Sequence, residues 1–328
     1  MNTKKSILLG CPPFRGYDLA IFKKLIEMGY EVTFFNDIPK AKWFRVLKDY
    51  PSIRKKLNFL LKHYEKYNER KILKRIKAKR FHFILIIKGS YLSNAFFENL
   101  KDLNPDAKFI MYQWDSLKNY GKATEKNFMD NSPYFDKIYT FDRKDANTIV
   151  GLDYMPSFFI NEYANPESEK QKSYDFDLFF IGGNHRNRFG ILEKLYENTK
   201  DFGLKFCFLL LGGKENENFK IKGLQYIKTP LSHKEIIEYL KKSNVVIDIH
   251  SPKQDGLTTR CFEALALGKK LATTNALIAR EPFYNPDNIH IIDLENPTIP
   301  LEFIKKEVEP LDMSVYSLES FLKNLLNN

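Results

Sequence analysis

The feature that most constrains the fold is a repeated alternation of apolar strands and amphipathic helices. The segment FHFILIIK at 81–88 is apolar on both faces and ends at Gly89 and Ser90. Such a strand is typical of a parallel sheet that helices cover on both sides. Strands are predicted at 6–11, 30–36, 81–88, 108–113, 136–141, 177–181, 205–211, 245–249 and 270–274.

A polar segment at 161–173 interrupts this alternation and has no apolar period, so it predicts a linker. With 328 residues the chain is long enough for two domains. We therefore expect an α/β protein of two Rossmann-like, doubly wound domains whose parallel sheets face a cleft. The predicted limits are 1–160 for the first domain and 174–305 for the second. Residues 306–328 are expected to form a helical segment that can pack back on the first domain.

The positive charge of the chain is concentrated in one segment. Between residues 40 and 80, sixteen Lys or Arg side chains stand against three acidic ones, a local net charge of +13, while the whole chain carries +11. This segment is interpreted in three ways: as a solvated helix face, as a surface for anionic membranes, or as a nucleic-acid surface. No groove-reading motif accompanies it, so no specific nucleic-acid partner is expected.

The cysteines and the first residues of the sequence indicate in which cellular compartment the protein is expected. Cys11, Cys207 and Cys261 lie far apart and form no CxxC pair, which indicates neither a zinc site nor a disulfide framework. The start KKSILLGC resembles a short signal sequence, but its apolar core falls below the roughly 7–15 residues that a signal needs. No apolar run reaches transmembrane length. We expect a cytoplasmic protein that can also lie peripherally on the inner face of the cell membrane.

The segment 255–274, DGLTTRCFEALALGKKLATT, carries most of the functional prediction. A glycine turn leads into an apolar helix, and the start of a helix offers backbone N–H groups and a positive dipole end to an anion. Glu263, about one turn into the helix, is placed to accept hydrogen bonds from a sugar hydroxyl beside that anion. A nucleotide diphosphate-sugar combines both groups.

These residues resemble a known family. The spacing of Asp255 and Glu263, followed by Ala264-x-Ala266-x-Gly268, resembles the E-x7-E motif of GT-B glycosyltransferases of the group 1 kind. The segments DLFFIGG at 177–183 and SNVVID at 243–248 resemble their first donor-domain strand and the strand before the motif. Within that family, the chain is most similar to the spore-maturation-protein-like branch found in surface-polysaccharide gene clusters. The resemblance implies a GT-B fold, with an acceptor-side first domain and a donor-binding second domain.

The resemblance also implies roles for individual residues. Glu263 would hold the ribose hydroxyls, Asp255 would face the donor sugar, and an arginine would neutralise the diphosphate. Asp115, at the end of a predicted strand, could act as general base if the enzyme inverts. The predicted catalytic residues are Asp115 and Asp255. The predicted nucleotide-sugar residues are Gly182, Gly183, Arg186, Arg188, His250, Gly256, Leu257, Thr258, Thr259, Arg260 and Glu263.

The sequence thus predicts a glycosyltransferase, of the hexosyltransferase kind, in lipopolysaccharide or capsule biosynthesis. Its partners would be a nucleotide-sugar donor, a glycan or lipid-linked acceptor, and an anionic membrane surface through 40–80. No cofactor or metal is expected, because arginine and helix amides can supply the positive charge. Two alternatives stay open: a nucleotide-sugar epimerase, and a non-catalytic sugar- or nucleic-acid-binding protein on the same fold.

Overall fold

The computed structural model describes residues 4–39, 41, 43–44, 51–117, 122–164, 173–185, 187–212 and 221–327. The chain divides into two compact units, one of residues 1–155 with 322–328 and one of residues 156–321. Each unit contains a six-stranded parallel sheet with helices, so the predicted α/β class is confirmed. Residues 165–172 of the predicted linker lie outside the described part, and the predicted domain limits stay predictions.

The sheet of the first unit has the order β2-β1-β3-β4-β5-β6, with every neighbouring pair parallel. Its central strands are fully buried because their side chains are apolar on both faces; Ile84, Leu85 and Ile86 are all 0% exposed. The strands are β1 Ser6–Gly10, β2 Glu31–Phe35, β3 Phe83–Ile87, β4 Lys108–Gln113, β5 Lys137–Thr140 and β6 Leu152–Tyr154.

The helices that the described residues place beside this sheet include α1 Tyr17–Glu27, α2 Pro51–Ile76, α3 Asn94–Leu103, α4 Lys122–Asn131 and α5 Arg143–Thr148. The basic segment 40–80 contains α2, while residues 40, 42 and 45–50 lie outside the described part. Ile72 and Ile76 of α2 pack into the apolar core. The buried Glu69 accepts hydrogen bonds from the N–H and hydroxyl of Ser93, the N-cap of α3, at 2.6 and 2.9 Å. These contacts fix one side of α2 and leave its opposite side in solvent.

The sheet of the second unit has the order β12-β11-β10-β7-β8-β9, again with parallel neighbours throughout. Its strands are β7 Phe176–Gly183, β8 Phe206–Leu211, β9 Leu224–Ile227, β10 Ser243–Asp248, β11 Lys270–Thr273 and β12 Ile289–Ile291. Its helices are α6 Arg188–Thr199, α7 His233–Lys241, α8 Thr259–Ala266 and α9 Leu301–Lys305. The last helix, α10 Leu318–Asn327, begins in this unit and ends among the residues grouped with the first.

Two adjacent buried lysines cap the C-terminal ends of helices in the second unit. Lys269 donates to the carbonyl of Lys241 at the end of α7, at 2.9 Å. Lys270 donates to the carbonyls of Phe303, Ile304 and Lys306 at 2.9, 2.6 and 2.8 Å, around the end of α9. Burial lowers the pKa of Lys270 to about 8, so the ammonium is still mostly protonated at pH 7. A cation at a helix C-terminus satisfies carbonyls that have no partner within the helix.

Replacement of Lys270 by Met is expected to lower the free energy of unfolding by about 2 kcal/mol, because buried carbonyls lose a charged donor. Urea denaturation followed by circular dichroism measures the change. The control is Lys305→Met, an exposed lysine in the last turn of α9, with an expected effect below about 0.5 kcal/mol. Equal losses in the two variants would contradict the capping role.

None of the helices in the described residues is both long and apolar enough to cross a membrane.

Candidate functional site

The strand order of the second unit defines where a ligand fits its sheet. From β7 the chain continues outward through β8 and β9, and it then returns to place β10 on the other side of β7. Such a reversal opens a crevice outside the carboxyl ends of the two central strands, where open α/β sheets bind ligands. Gly182 and Gly183 end β7, and His250 follows β10, so predicted site residues lie on both sides of this crevice.

Arg188, the first residue of α6, spans the two strand ends. Its Nε and Nη2 atoms donate to the carbonyl of Ile249 at 3.2 and 2.9 Å, and Nη1 donates to the carbonyl of Gly183 at 3.4 Å. A Cβ atom at Gly182 would lie 3.1 Å from Nη1 and 2.7 Å from Phe180 Cζ, so the guanidinium passes where only glycine leaves room. The structure therefore fixes one predicted cation in the crevice. Arg186 lies outside the described residues.

Asp248, at the end of β10, holds the start of the 255–274 segment. Its two carboxylate oxygens accept the hydroxyls of Thr258 at 2.7 Å and of Thr273 at 3.0 Å. Thr258 is the N-cap residue of α8, but its hydroxyl makes no cap hydrogen bond to that helix. In the first turn of α8 the Cys261 N–H donates to the Thr258 carbonyl at 3.1 Å. The start of the helix carries the positive end of its dipole, which favours an anion.

The loop before α8 is fixed by further polar contacts. The amide of Asn275 donates to the carbonyl of Asp255 at 3.0 Å, and that of Gln254 donates to the carbonyl of Gly256 at 3.2 Å. Gly256 and Leu257 are buried, whereas Asp255 is partly exposed. The loop thus presents the Asp255 side chain near the crevice while its backbone is held in place.

His250 lies beside these groups as a neutral imidazole. The Thr274 hydroxyl accepts its backbone N–H at 3.0 Å and lies 2.8 Å from Nδ1. Burial lowers the pKa of His250, although the charges of Asp248 and Asp255 oppose the shift. At pH 7 the imidazole is therefore uncharged and can accept or donate a hydrogen bond without adding charge to the crevice.

Glu263 lies in a buried network on α8. Its carboxylate pairs with Arg260 at 2.6 Å, and Glu263 is only 2% exposed. The Tyr163 hydroxyl hydrogen-bonds to both side chains and lies 2.8 Å from His233 Nδ1. Burial, followed by the Glu263 charge, raises the pKa of Tyr163, so its hydroxyl stays protonated. Within the described residues the ion pair is formed, and the ribose role of Glu263 and the phosphate role of Arg260 stay predictions.

Asp115 belongs to the first unit, whereas the other predicted site residues belong to the second. It follows β4 and forms an ion pair with Lys88, which follows β3. The backbone of Lys88 is left-handed, with φ 68°, and Gln113 donates to its carbonyl at 2.9 Å. Asp115 is thus held at the carboxyl edge of the first sheet.

Several residues that contact the predicted site residues or their partners were not predicted from the sequence: Asp248, Thr273, Thr274, Asn275 and Tyr163. An aspartate that ends an apolar strand is a weak signal for Asp248. No group of three or more potential metal ligands occurs in the described part of the chain.

Neither a family model nor a curated protein sequence matches the chain. Among solved structures, the UDP-GlcNAc 2-epimerase of Methanocaldococcus jannaschii, in complex with UDP-GlcNAc and UDP, is 11% identical, with 99% of this chain and 100% of that chain covered and a TM-score of 0.51. A glycosyltransferase from Rickettsia africae is 12% identical, with 99% and 94% covered and a TM-score of 0.53. The N-terminal domain of a Candida albicans trehalose-6-phosphate phosphatase is 12% identical, with the same coverage and a TM-score of 0.59.

At such identities the similarity establishes the fold. The chain has the GT-B fold, with two Rossmann-like domains, as its resemblance to GT-B glycosyltransferases predicted.

Proposed function

We propose that the protein is a glycosyltransferase that moves a sugar from a nucleotide diphosphate-sugar to an acceptor hydroxyl. The observation that carries this proposal is that the Arg188 guanidinium lies at the β7–β10 crevice, beside the loop that leads from β10 into the start of α8. A guanidinium and a set of backbone N–H groups are the donors that bind a diphosphate without a metal.

The same groups account for rate enhancement. As the sugar leaves, negative charge builds on the departing diphosphate, and donors that are already oriented stabilise it without reorganisation. Asp255 would hold hydroxyls of the donor sugar, and Asp115 would take the proton of the acceptor hydroxyl if the reaction inverts. We expect transfer to persist in EDTA, because the positive charge comes from the chain itself.

Incubation with UDP-sugars, with and without candidate glycan and lipid-linked acceptors, tests the proposal. UDP is the first nucleotide to try because the archaeal epimerase that shares the fold was solved with it. A glycosylated product that forms only with acceptor supports a transferase in surface-polysaccharide synthesis, for lipopolysaccharide or capsule. Turnover of the donor without acceptor favours the second candidate, a nucleotide-sugar epimerase. Nucleotide binding without any turnover would favour the remaining alternative, a non-catalytic binding protein.

We further propose that α2 places the enzyme on an anionic membrane surface, where a lipid-linked acceptor would be found. Phe59, His63 and Tyr67 repeat every four residues along α2, and Phe59 and Tyr67 are 79% and 52% exposed. Lys62, Lys66 and Arg70 form a neighbouring exposed row. Exposed aromatic rings beside a row of cations suit the interface of an anionic bilayer.

Reversal of Lys62, Lys66 and Arg70 to Glu is expected to reduce binding to phosphatidylserine vesicles by about 100-fold or more, since each nearby cation contributes about 1 kcal/mol. Co-sedimentation measures the bound fraction. The matched control reverses Lys222, Lys228 and Lys234, three exposed lysines of the second unit, for the same change in net charge. Equal losses in the two triple variants would mean that net charge, and not this helix, drives the binding.

A further inference from the structure

The buried network around Glu263 contains two side chains that the proposed function does not use, Tyr163 and His233. Tyr163 is 0% exposed, although it lies in the segment that the sequence predicts as a polar linker. Its ring meets the His233 ring edge-on, with centroids 5.7 Å apart at an interplanar angle of 85°. A buried hydroxyl requires hydrogen-bond partners, so the contacts of Tyr163 show which groups it orients.

The backbone of Tyr163 is held in place on the second unit. The residue ends a short 3-10 turn, and its N–H donates to the Ile160 carbonyl at 2.9 Å. Just before the turn, the Phe159 N–H donates to the Tyr316 carbonyl at 3.1 Å, and the Phe159 carbonyl accepts the Leu318 N–H at 2.9 Å. The Tyr163 hydroxyl is therefore presented from a fixed support, as a group that positions a binding residue must be.

The Tyr163 hydroxyl has one hydrogen to donate and two positions at which it can accept. The hydrogen goes to the Glu263 carboxylate, and the Arg260 guanidinium donates to the hydroxyl oxygen. His233 Nδ1, at 2.8 Å, is then a donor as well, which places the imidazole hydrogen on Nδ1. Because all three bonding positions of the hydroxyl are used, its orientation is fully determined.

Tyr163 thereby changes how Arg260 and Glu263 pair. A guanidinium and a carboxylate favour a bidentate arrangement, in which two parallel N–H groups bind both carboxylate oxygens. In this network an N–H group of Arg260 is directed to the Tyr163 oxygen, while Glu263 accepts the Tyr163 hydrogen. An ionised carboxylate accepts about four hydrogen bonds, so it can bind these protein donors and ligand hydroxyls together.

We propose that Tyr163 and His233 are positioning residues that keep the Glu263 carboxylate open to the two ribose hydroxyls of the nucleotide, and that they thereby select ribonucleotides. This rests on the proposed donor site and on the ribose role of Glu263. Without the Tyr163 hydroxyl, the Arg260 guanidinium closes on Glu263 as a bidentate pair and takes acceptor capacity away from the ribose. His233 holds the hydroxyl in the orientation that prevents this.

Calorimetric titration with matched nucleotides tests the proposal. The native chain is titrated with UDP, GDP and ADP and with their 2′,3′-dideoxy forms, which lack both ribose hydroxyls. For the nucleotide that binds, we expect the ribo form to bind about 100-fold more tightly, because the dideoxy form loses two hydrogen bonds to a charged group. In Tyr163→Phe this ratio should fall about tenfold, through weaker binding of the ribo form alone. A purely structural defect would weaken both forms equally and leave the ratio unchanged.

His233 allows a conservative substitution, because an asparagine amide places an N–H close to the Nδ1 position. His233→Asn should keep the ratio, whereas His233→Ala should lower it about threefold. The control Tyr112→Phe removes the hydroxyl of another fully buried tyrosine, which in the first unit donates to the Met155 carbonyl at 3.4 Å, and it should leave the ratio unchanged. Thermal melting shows that each variant is folded, and the two His233 variants decide the question if Tyr163→Phe does not fold.

The possible results distinguish this proposal from the proposed function. If the native chain binds no nucleotide, the donor site itself is contradicted, and the positioning role with it. If a nucleotide binds and neither Tyr163→Phe nor His233→Ala changes the ratio, the positioning role is overturned and the donor site stands. A ratio near one in the native chain overturns the selection of ribonucleotides and removes Glu263 from the ribose.

Discussion

Replacement of Arg188 by Met is expected to weaken the binding of UDP by about 100-fold, a loss of about 3 kcal/mol. The guanidinium hydrogen-bonds across the β7–β10 crevice, to Ile249 on one side and Gly183 on the other. Removing it takes away a charged donor from the diphosphate and also a contact between the two strand ends, which are joined by their own ladder up to Ile247 and Phe180. Isothermal titration calorimetry measures the affinity directly.

Two further variants separate charge from geometry. Arg188→Lys keeps the charge but loses the planar fork, so we expect an intermediate loss of about tenfold. Arg280→Met removes an exposed arginine of the same unit and should leave UDP affinity unchanged. Thermal melting of the nucleotide-free variants shows how much of each loss reflects stability. If Arg188→Met binds UDP as the native chain does, the crevice is not the diphosphate site.

Replacement of Glu263 by Ala is expected to cost about 3–5 kcal/mol of unfolding free energy, because it leaves the Arg260 guanidinium buried without its carboxylate. The pair is 2.6 Å apart, and its side chains are 12% and 3% exposed. Arg260→Met should cost a similar amount for the converse reason. The double variant Arg260→Met/Glu263→Ala should cost much less than the sum, with a coupling of about 2 kcal/mol or more. Urea denaturation of the four proteins measures this cycle.

The exposed pair of Glu238 and Lys241 on α7 is the matched control, with the same i,i+3 spacing and a distance of 3.9 Å. Glu238→Ala should cost less than about 1 kcal/mol. Additive losses at Arg260 and Glu263 would show that the buried pair is not coupled. UDP titration of folded Glu263→Ala then decides its second role: a sharp loss of affinity supports ribose binding, and an unchanged affinity removes Glu263 from the site.

The sequence predicted the central strands of both sheets but not three of the edge strands. β6, β9 and β12 have 3, 4 and 3 residues and lie at sheet edges. A run of that length contains too few residues for an apolar period to stand out. The central strands, such as FILII in β3, are predictable because burial on both faces demands continuous apolar sequence.

The candidate site was predictable to the extent that it is local in sequence. The helix after the Gly256 turn and the i,i+3 spacing of Arg260 and Glu263 can both be inferred from neighbouring residues. The carboxylate of Asp248 accepts hydrogen bonds from Thr258, 10 positions along the chain, and from Thr273, 25 positions along. Only the fold brings these residues together. Tyr163, from the segment predicted to be a polar linker, reaches α8 for the same reason.

The central claim is that the second unit binds a nucleotide diphosphate at the carboxyl ends of β7 and β10. Calorimetric titration of the native chain with UDP, GDP, TDP, ADP and CMP tests it most directly. We predict saturable binding of at least one diphosphate, displaced by the corresponding nucleotide-sugar. The absence of binding by every nucleotide in the set would contradict the claim.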